Sequence, residues 1–286
     1  MSVREPLPVT VYTPDSAIAN PSKLLRDMLR DLRNSRDLAW RLAVRDINAQ
    51  YRQTLLGFAW ALLVPLGHAA VWIFLARSGL LTVGPTALPY PAFVLAGTML
   101  WAIFADAVHA PLGTVAASRD MLVRINFPRE ALILSGILQV GFNAAIKLAI
   151  VVLALIALGV RPDWGIIAAP AGVAVLMLAG TAVGLFLLPF GLLYSDVGRV
   201  LPFLMQALMY LTPVVYPIPA EGVARSLLTL NPITAPLEAS RQWLTGGSPE
   251  FVTGLALTAA GALVLTLALW VVYRLALPIV IERMSP

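Results

Sequence analysis

The sequence predicts an all-α membrane protein, with six transmembrane helices behind an N-terminal amphipathic interfacial segment, and three observations predict it. Hydrophobic residues make up 59% of the 286 residues and charged residues only 12%. The mean hydropathy of +0.83 is far above that of a soluble domain. Apolar windows of the length a helix needs to cross a bilayer, about 20 residues, fall at 58–77, 91–112, 131–159, 165–194, 200–216 and 251–278. These runs are continuous and rich in Leu, Ala and Val instead of alternating with period two, which selects helices over a closed barrel.

Residues 1–22 carry Pro6, Pro8, Pro14 and Pro21 and no apolar core. They are not a secretory signal and read as a disordered tail. In 23–57 the residues Leu24, Leu25, Met28, Leu29 and Leu32 recur at helical spacing, and Trp40, Val44, Ile47 and Tyr51 do so again after Asn34 and Ser35. The second of these two amphipathic helices carries Arg41, Arg45 and Arg52 opposite an aromatic-bearing face, the pattern of a helix lying among lipid headgroups. A plain basic anchor is the simpler reading, made less attractive by Asp37 and Asp46.

A single six-span domain then runs over 58–286. Pro65, Pro170, Pro189, Pro202 and Pro213 are expected to kink its spans. Fifteen Lys and Arg fall on the side of the two termini and of the loop between spans two and three, and four fall on the other. The positive-inside rule therefore places both termini in the cytoplasm. The basic pI of 9.9 is explained by this asymmetry, not by nucleic-acid binding.

Lys147 lies near the middle of span three, where a lysine faces a cavity or a partner. Asp106, about 24 Å along span two at 1.5 Å per residue, is expected near the inner interface, with His109 on the same helix face. Lys147, Asp106 and His109 are the conduit candidates. Asp106 with His109 is also the sole near candidate for an acid–base pair, but snorkelling or a gate contact is favoured, so no catalytic residue is assigned. His68 and His109 lie in different spans without a ligand cluster, so no metal site is expected. The chain has no Cys. It also has no G-x-x-x-x-G-K-[ST] phosphate loop, so it has to borrow its energy.

Two loops are unusual. Ser118 to Glu130, "SRDMLVRINFPRE", packs three Arg, an Asp and a Glu into thirteen residues between two apolar runs. Pro128 should stop a short helix there and re-aim the chain, and Glu130 should sit at the N-terminus of span three, where a carboxylate is favoured. The segment 217–249 has Asn231 and Pro232 as a helix start and Gly246 and Gly247 as a stop. Its Leu227, Leu228, Leu230, Ile233, Leu237, Trp243 and Leu244 are too apolar for a wet loop. Short re-entrant helices between spans five and six, or a pair lying flat at the interface, are expected.

"RDINAQYRQTLLGFAWALLVPL", "RDMLVRINFPRE", "LTPVVYP" and "LNPITAPLEASRQWLTG" occur in this order. Together they resemble the membrane permease of ABC-2 type exporters of lipid-linked polysaccharides, the O-antigen, teichoic acid and capsule transporters. The resemblance covers about residues 35–280. It implies a homodimer in the bacterial inner membrane, served by two copies of a cytoplasmic ABC ATPase that binds the ATP and Mg, with no cofactor in this chain. It implies a gate helix carrying Trp40, Arg41, Arg45, Tyr51 and Arg52. It further implies a coupling helix over about 113–130, docked on the ATPase through Arg119, Asp120, Met121, Leu122, Arg124, Phe127, Pro128 and Arg129. An ABC-2 exporter of drugs or other small hydrophobic molecules is the alternative, and a membrane-embedded glycosyl or acyl transferase a more distant one.

Overall fold

A computed structural model describes residues 21–51, 59–81, 84–86, 88–124, 127–160, 163–247 and 250–284. The expected tail lies almost entirely outside them, as does Arg52. Two N-terminal helices, α1 (Pro21–Asn34) and α2 (Arg36–Tyr51), are followed by α3 (Trp60–Arg77), α4 (Tyr90–Ala117), the six-residue α5 (Arg119–Arg124) and α6 (Glu130–Ala157). A 3-10 turn (Trp164–Ile167) leads into α7 (Ala169–Leu193), α8 (Asp196–Tyr210), the short α9 (Val223–Leu230) and α10 (Thr234–Leu244), and finally α11 (Val252–Met284). No strand occurs among the described residues.

Among the described residues four stretches are long and apolar enough to cross a membrane: α4, α6, α7 with its leading turn, and α11. The windows at 58–77 and 200–216 form shorter helices. With 18 residues α3 reaches about 27 Å, and with 15 residues α8 reaches about 22 Å. The α8 window falls short because the chain turns at Leu211, where the Leu211 N–H donates to the Leu208 carbonyl at 3.1 Å and Pro213 follows in the turn. Pro170 sits in the first turn of α7, where its missing N–H costs nothing.

At the centre of the bundle is α4: its apolar window is 78% buried, against 11% for α11, which lies at the periphery with most of its Leu and Val outward. It packs on α3, α6, α7 and α10. Close approach to α7 depends on Gly180 and Gly184, a small-xxx-small pair of the kind that lets membrane helices touch through their backbones. A Cβ on Gly180 would stand 2.7 Å from the Phe104 carbonyl oxygen, and one on Gly184 2.5 Å from that of Val108. Helix ends are closed by glycine at positive φ. Gly159 (φ 79°) follows α6, with the Val160 N–H on the Leu155 carbonyl at 2.9 Å, and Gly246 (φ 80°) follows α10 with the equivalent bond from Gly247 to Gln242 at 2.8 Å.

Both N-terminal helices form, and α2 packs on the bundle through its small residues. Ala39, Leu42 and Ala43 pack inward, mainly on α6, while Trp40 remains 62% exposed and Val44 is exposed beside it. Arg41 and Arg45 are exposed too. Small residues at 39 and 43 let α2 sit close on the bundle, which leaves the aromatic-bearing stripe on the outside. At the same end, Arg274 of α11 donates from Nη2 to Asp31 of α1 at 2.7 Å and from Nη1 to Glu130 of α6 at 2.5 Å. Glu130 thus occupies the first turn of α6, as expected, but buried and ion-paired.

Gly180→Val and Gly184→Val should each cost about 1–3 kcal/mol through forced separation of α4 and α7. Gly67→Val and Gly198→Val, where an added Cβ meets nothing within 4 Å, should cost less than about 1 kcal/mol. Thermal unfolding midpoints in one detergent compare the four variants.

Candidate functional site

On α6 the polar residues Gln139, Asn143 and Lys147 stand four apart, so they form one stripe on an otherwise apolar helix. The facing surface of α4 carries Thr98, Asp106, His109 and Thr114 with the small residues Ala102, Ala105, Gly113 and Ala117. Between them run two contiguous clefts of about 370 and 390 Å³, which share Gln50, Asp106, His109 and Asn143. From Thr98 to Ala117 this groove follows α4 for about 28 Å, close to the roughly 30 Å of a bilayer's hydrocarbon core. Asp46 and Gln50 of α2 wall one part of it, and His68 of α3, Trp101 of α4 and Gln206 of α8 the other.

All three conduit candidates meet here. Lys147 Nζ donates to Asp106 Oδ2, and the pair is asymmetric: the Lys147 side chain is 4% exposed, that of Asp106 37%. His109 Nδ1 lies 2.8 Å from the Ala105 carbonyl oxygen, which can only accept, so the proton sits on Nδ1. Asp106 therefore pairs with Lys147 and not with His109, which removes the geometry an acid–base dyad requires. The expected depth of Asp106 also changes. Because α4 continues to Ala117, Asp106 lies about 16 Å from that end, well inside the helix and level with Lys147. Gln139 Nε2 donates to Asp46 Oδ2 at 3.2 Å, and Arg45 Nε donates to Asp46 Oδ1 at 2.7 Å.

The charged loop is compact. Only Ser118 separates α4 from α5. Residues 113–117, expected in the coupling helix, continue α4, and α5 ends at Arg124, four residues before Pro128. Pro128 instead precedes α6, its carbonyl accepting from the Ala131 N–H at 3.1 Å. Leu122 is buried, with Met121 and Phe127 against it, in a cluster containing Leu42, Val115, Leu132, Leu185 and Tyr273. Leu122 is thus engaged inside the chain, Met121 and Phe127 are partly so, and Arg119 is exposed. Tyr273 donates its hydroxyl to the Arg129 carbonyl at 3.2 Å. The side chains of Tyr51, Asp120 and Arg124 lie outside the described ones.

Arg241, absent from the sequence-based candidates, anchors the opposite end. It is buried, and its Nη2 donates to the Pro213 and Val214 carbonyls at 2.8 and 3.0 Å, its Nη1 to Glu238 at 3.1 Å. The guanidinium lies 3.8 Å from the Phe93 ring centroid, a cation–π contact. Gly97 leaves room for it, since a Cβ there would stand 2.0 Å from the Val214 oxygen. Asn231 does cap, its Oδ1 accepting from the Ile233 N–H at 3.0 Å, although α10 begins at Thr234. The i, i+4, i+8 spacing of Gln139, Asn143 and Lys147 was the signal in the sequence for the groove. Arg241 gave none, because loop arginines look alike until the chain is folded.

No family model matches the chain. It is similar to the O-antigen export system permease protein RfbA of Myxococcus xanthus, 27% identical over 211 residues that cover 73% of this chain and 80% of that protein. It is also similar to a protein of the same description from Klebsiella pneumoniae, 23% identical over 237 residues, 79% of this chain and 89% of that one. The polysialic acid transport protein KpsM of Escherichia coli is 22% identical over 210 residues, 72% of this chain and 80% of that protein.

Asp106→Asn strands a buried ammonium and should destabilise by about 3–5 kcal/mol. Lys147→Met leaves a carboxylate that still reaches the groove and should cost less. The double variant should recover most of the loss, which thermal midpoints of the four proteins would read as a double-mutant cycle.

Proposed function

We infer that this chain is the transmembrane permease subunit of a polysaccharide exporter. Its similarity over nearly three quarters of its length to permeases of O-antigen and polysialic acid export carries the reading. The groove gives it a physical basis. Amides from Gln50, Gln139, Asn143 and Gln206 and the His109 imidazole, set in an otherwise apolar wall, offer hydrogen-bond partners to a hydroxyl-rich solute.

In the proposed assembly two copies of the chain work with two copies of an ABC ATPase on the cytoplasmic side, and both termini lie there. The substrate is a glycan carried on a lipid. The short helices α3 and α8 complete six spans, and α9 and α10 lie within the outer leaflet as a re-entrant pair. The stripe of Trp40 and Val44, with Arg41 and Arg45 beside it, rests among headgroups.

The packing of α5 suggests how force is transmitted. An ATPase that engages the exposed Arg119 side of α5 pushes on a helix whose Leu122 is locked into a cluster shared by α2, α4, α6 and α7. With one residue between α5 and α4, the push reaches the helix that lines the groove along its length. Coupling then rests on the charged contacts more than on Leu122, which is already engaged inside the chain.

Cells lacking the chain should retain the glycan inside, and restoring the chain should return it to the surface. Purified alone, the chain should show no ATP hydrolysis. Arg119→Glu combined with Arg124→Glu should cut surface glycan and ATPase co-purification, by the 2–5 kcal/mol that truncating one side of a hydrogen-bonded interfacial charge pair costs, roughly, while leaving the thermal midpoint unchanged. Normal export by this variant would move the coupling contact elsewhere.

A further inference from the structure

At the end of the bundle opposite the charged loop, a side pocket of about 300 Å³ opens where α3 ends and α4 begins, and it shares no lining residue with the groove. Ile73, Ala76, Leu81 and Pro91 make its walls apolar, and Arg77 and Tyr90 bring the polar side-chain groups. Arg77 is unlike the other arginines whose side chains are described at that end. Arg225 donates to the Pro219 and Ala220 carbonyls at 3.3 and 3.2 Å, and Arg241 is held by Pro213, Val214 and Glu238. Arg77 is exposed, and among the described residues nothing accepts a hydrogen bond from it or pairs with its charge.

Nor is Arg77 needed to close its own helix. The carbonyls of Phe74, Leu75 and Ala76 already accept from the N–H groups of Ser78, Leu81 and Gly79, at 2.9, 3.2 and 3.4 Å. The backbone thus meets the usual demand for a basic residue at a helix C-terminus. Tyr90 donates its hydroxyl to the Val215 carbonyl at 3.0 Å, which leaves the phenol oxygen able to accept.

A guanidinium over apolar walls, beside an oxygen that accepts, matches a lipid headgroup that carries both a negative charge and a hydroxyl. The described lining holds a single cation, so a phosphodiester is neutralised there, whereas a diphosphate would keep excess charge. It holds no carboxylate, so the ammonium of a zwitterionic headgroup finds no partner. We propose that this pocket binds a phospholipid with an anionic phosphoglycerol headgroup. Arg77 donates to the phosphate oxygens, a glycerol hydroxyl donates to Tyr90, and an acyl chain lies on α3 along Ile73 and the exposed Phe74. In the proposed orientation the lipid belongs to the outer leaflet. The site needs only that the bundle lie in a bilayer, so it stands or falls apart from the permease reading.

The absence of native cysteine allows one fluorophore to be placed beside the pocket. The full chain with Leu80→Cys, an exposed position, is labelled with bimane and reconstituted in phosphatidylcholine vesicles. These contain either doxyl-labelled phosphatidylglycerol or doxyl-labelled phosphatidylethanolamine as quencher. Leu257→Cys, exposed near the start of α11, reports the surrounding lipid. At Leu80→Cys the phosphatidylglycerol should quench with an apparent affinity about five-fold higher, the ~1 kcal/mol that one basic side chain contributes at an anionic lipid surface. At Leu257→Cys the two lipids should quench equally.

Arg77→Gln should remove the difference with an unchanged thermal midpoint, and Arg77→Lys should keep part of it. Equal quenching at Leu80→Cys overturns the proposal, as does a preference that survives Arg77→Gln. Absence of quenching by either lipid at Leu80→Cys would mean that protein, such as a second copy of the chain, covers the pocket. Displacement of the phosphatidylglycerol by equimolar farnesyl diphosphate would assign the pocket to a diphosphate lipid. Either result overturns it as well.

Discussion

A charge inside an apolar phase has to find its counterpart within the protein, and that requirement organises this bundle. Among the described residues Lys147 and Arg241 are buried and Arg274 partly so, and each is satisfied by segments far away in the chain. Lys147 at mid-height joins α6 to Asp106 of α4. Arg241 at one end joins α10 to the carbonyls of Pro213 and Val214 and to the face of Phe93. Arg274 at the other end joins α11 to α1 and to the first turn of α6. Removing one partner of such a pair leaves an uncompensated charge at a cost of about 3–5 kcal/mol, more than any single apolar contact between these helices supplies. A slide by one turn would part the ion-paired atoms and would also carry Gly97, Gly180 and Gly184 away from the carbonyls they clear. Together these contacts fix the register.

The second constraint is backbone proximity along α4. Gly97, Gly180 and Gly184 clear space where Cβ atoms would collide with carbonyl oxygens, so α4 sits close to α7 on one side and to the turn after α8 near its N-terminal end. Its remaining side is lined by Ala102, Ala105, Gly113 and Ala117 and stays open as the groove. Small residues thus serve two purposes on one helix, dense contact on one face and an open wall on the other. Since α4 leads through a single residue into α5, the element that lines the groove is also the one nearest the charged loop, and no flexible linker intervenes to absorb a displacement.

Much of this was legible in the sequence. The two N-terminal helices, Glu130 in the first turn of α6 and the stop at Gly246 follow from local rules that act within a few residues. Those rules failed where a contact from elsewhere in the chain decided the outcome. The stripe of Trp40 and Val44 was visible on α2, but not that Ala39 and Ala43 are the residues small enough to meet α6 closely. Met121, Leu122 and Phe127 were read as facing a partner, but Leu42, Leu132 and Leu185 converge on them from three other helices. Asp106 was placed near an interface because the apolar window ended at 112, while the helix itself runs five residues further.

By itself the sequence determined the solvent, the helical class and the approximate positions of the spans, because hydropathy and period are sums over neighbouring residues. It also determined that a lysine lies deep in an apolar run, which is a matter of counting. Only the tertiary structure decided which acid answers that lysine, since Asp106 and Lys147 are 41 positions apart. Their meeting depends on how α4 and α6 cross. The structure likewise decided that the carboxylate, and not the ammonium, faces the groove, because the depth of each end of an ion pair is set by the helices packed around it.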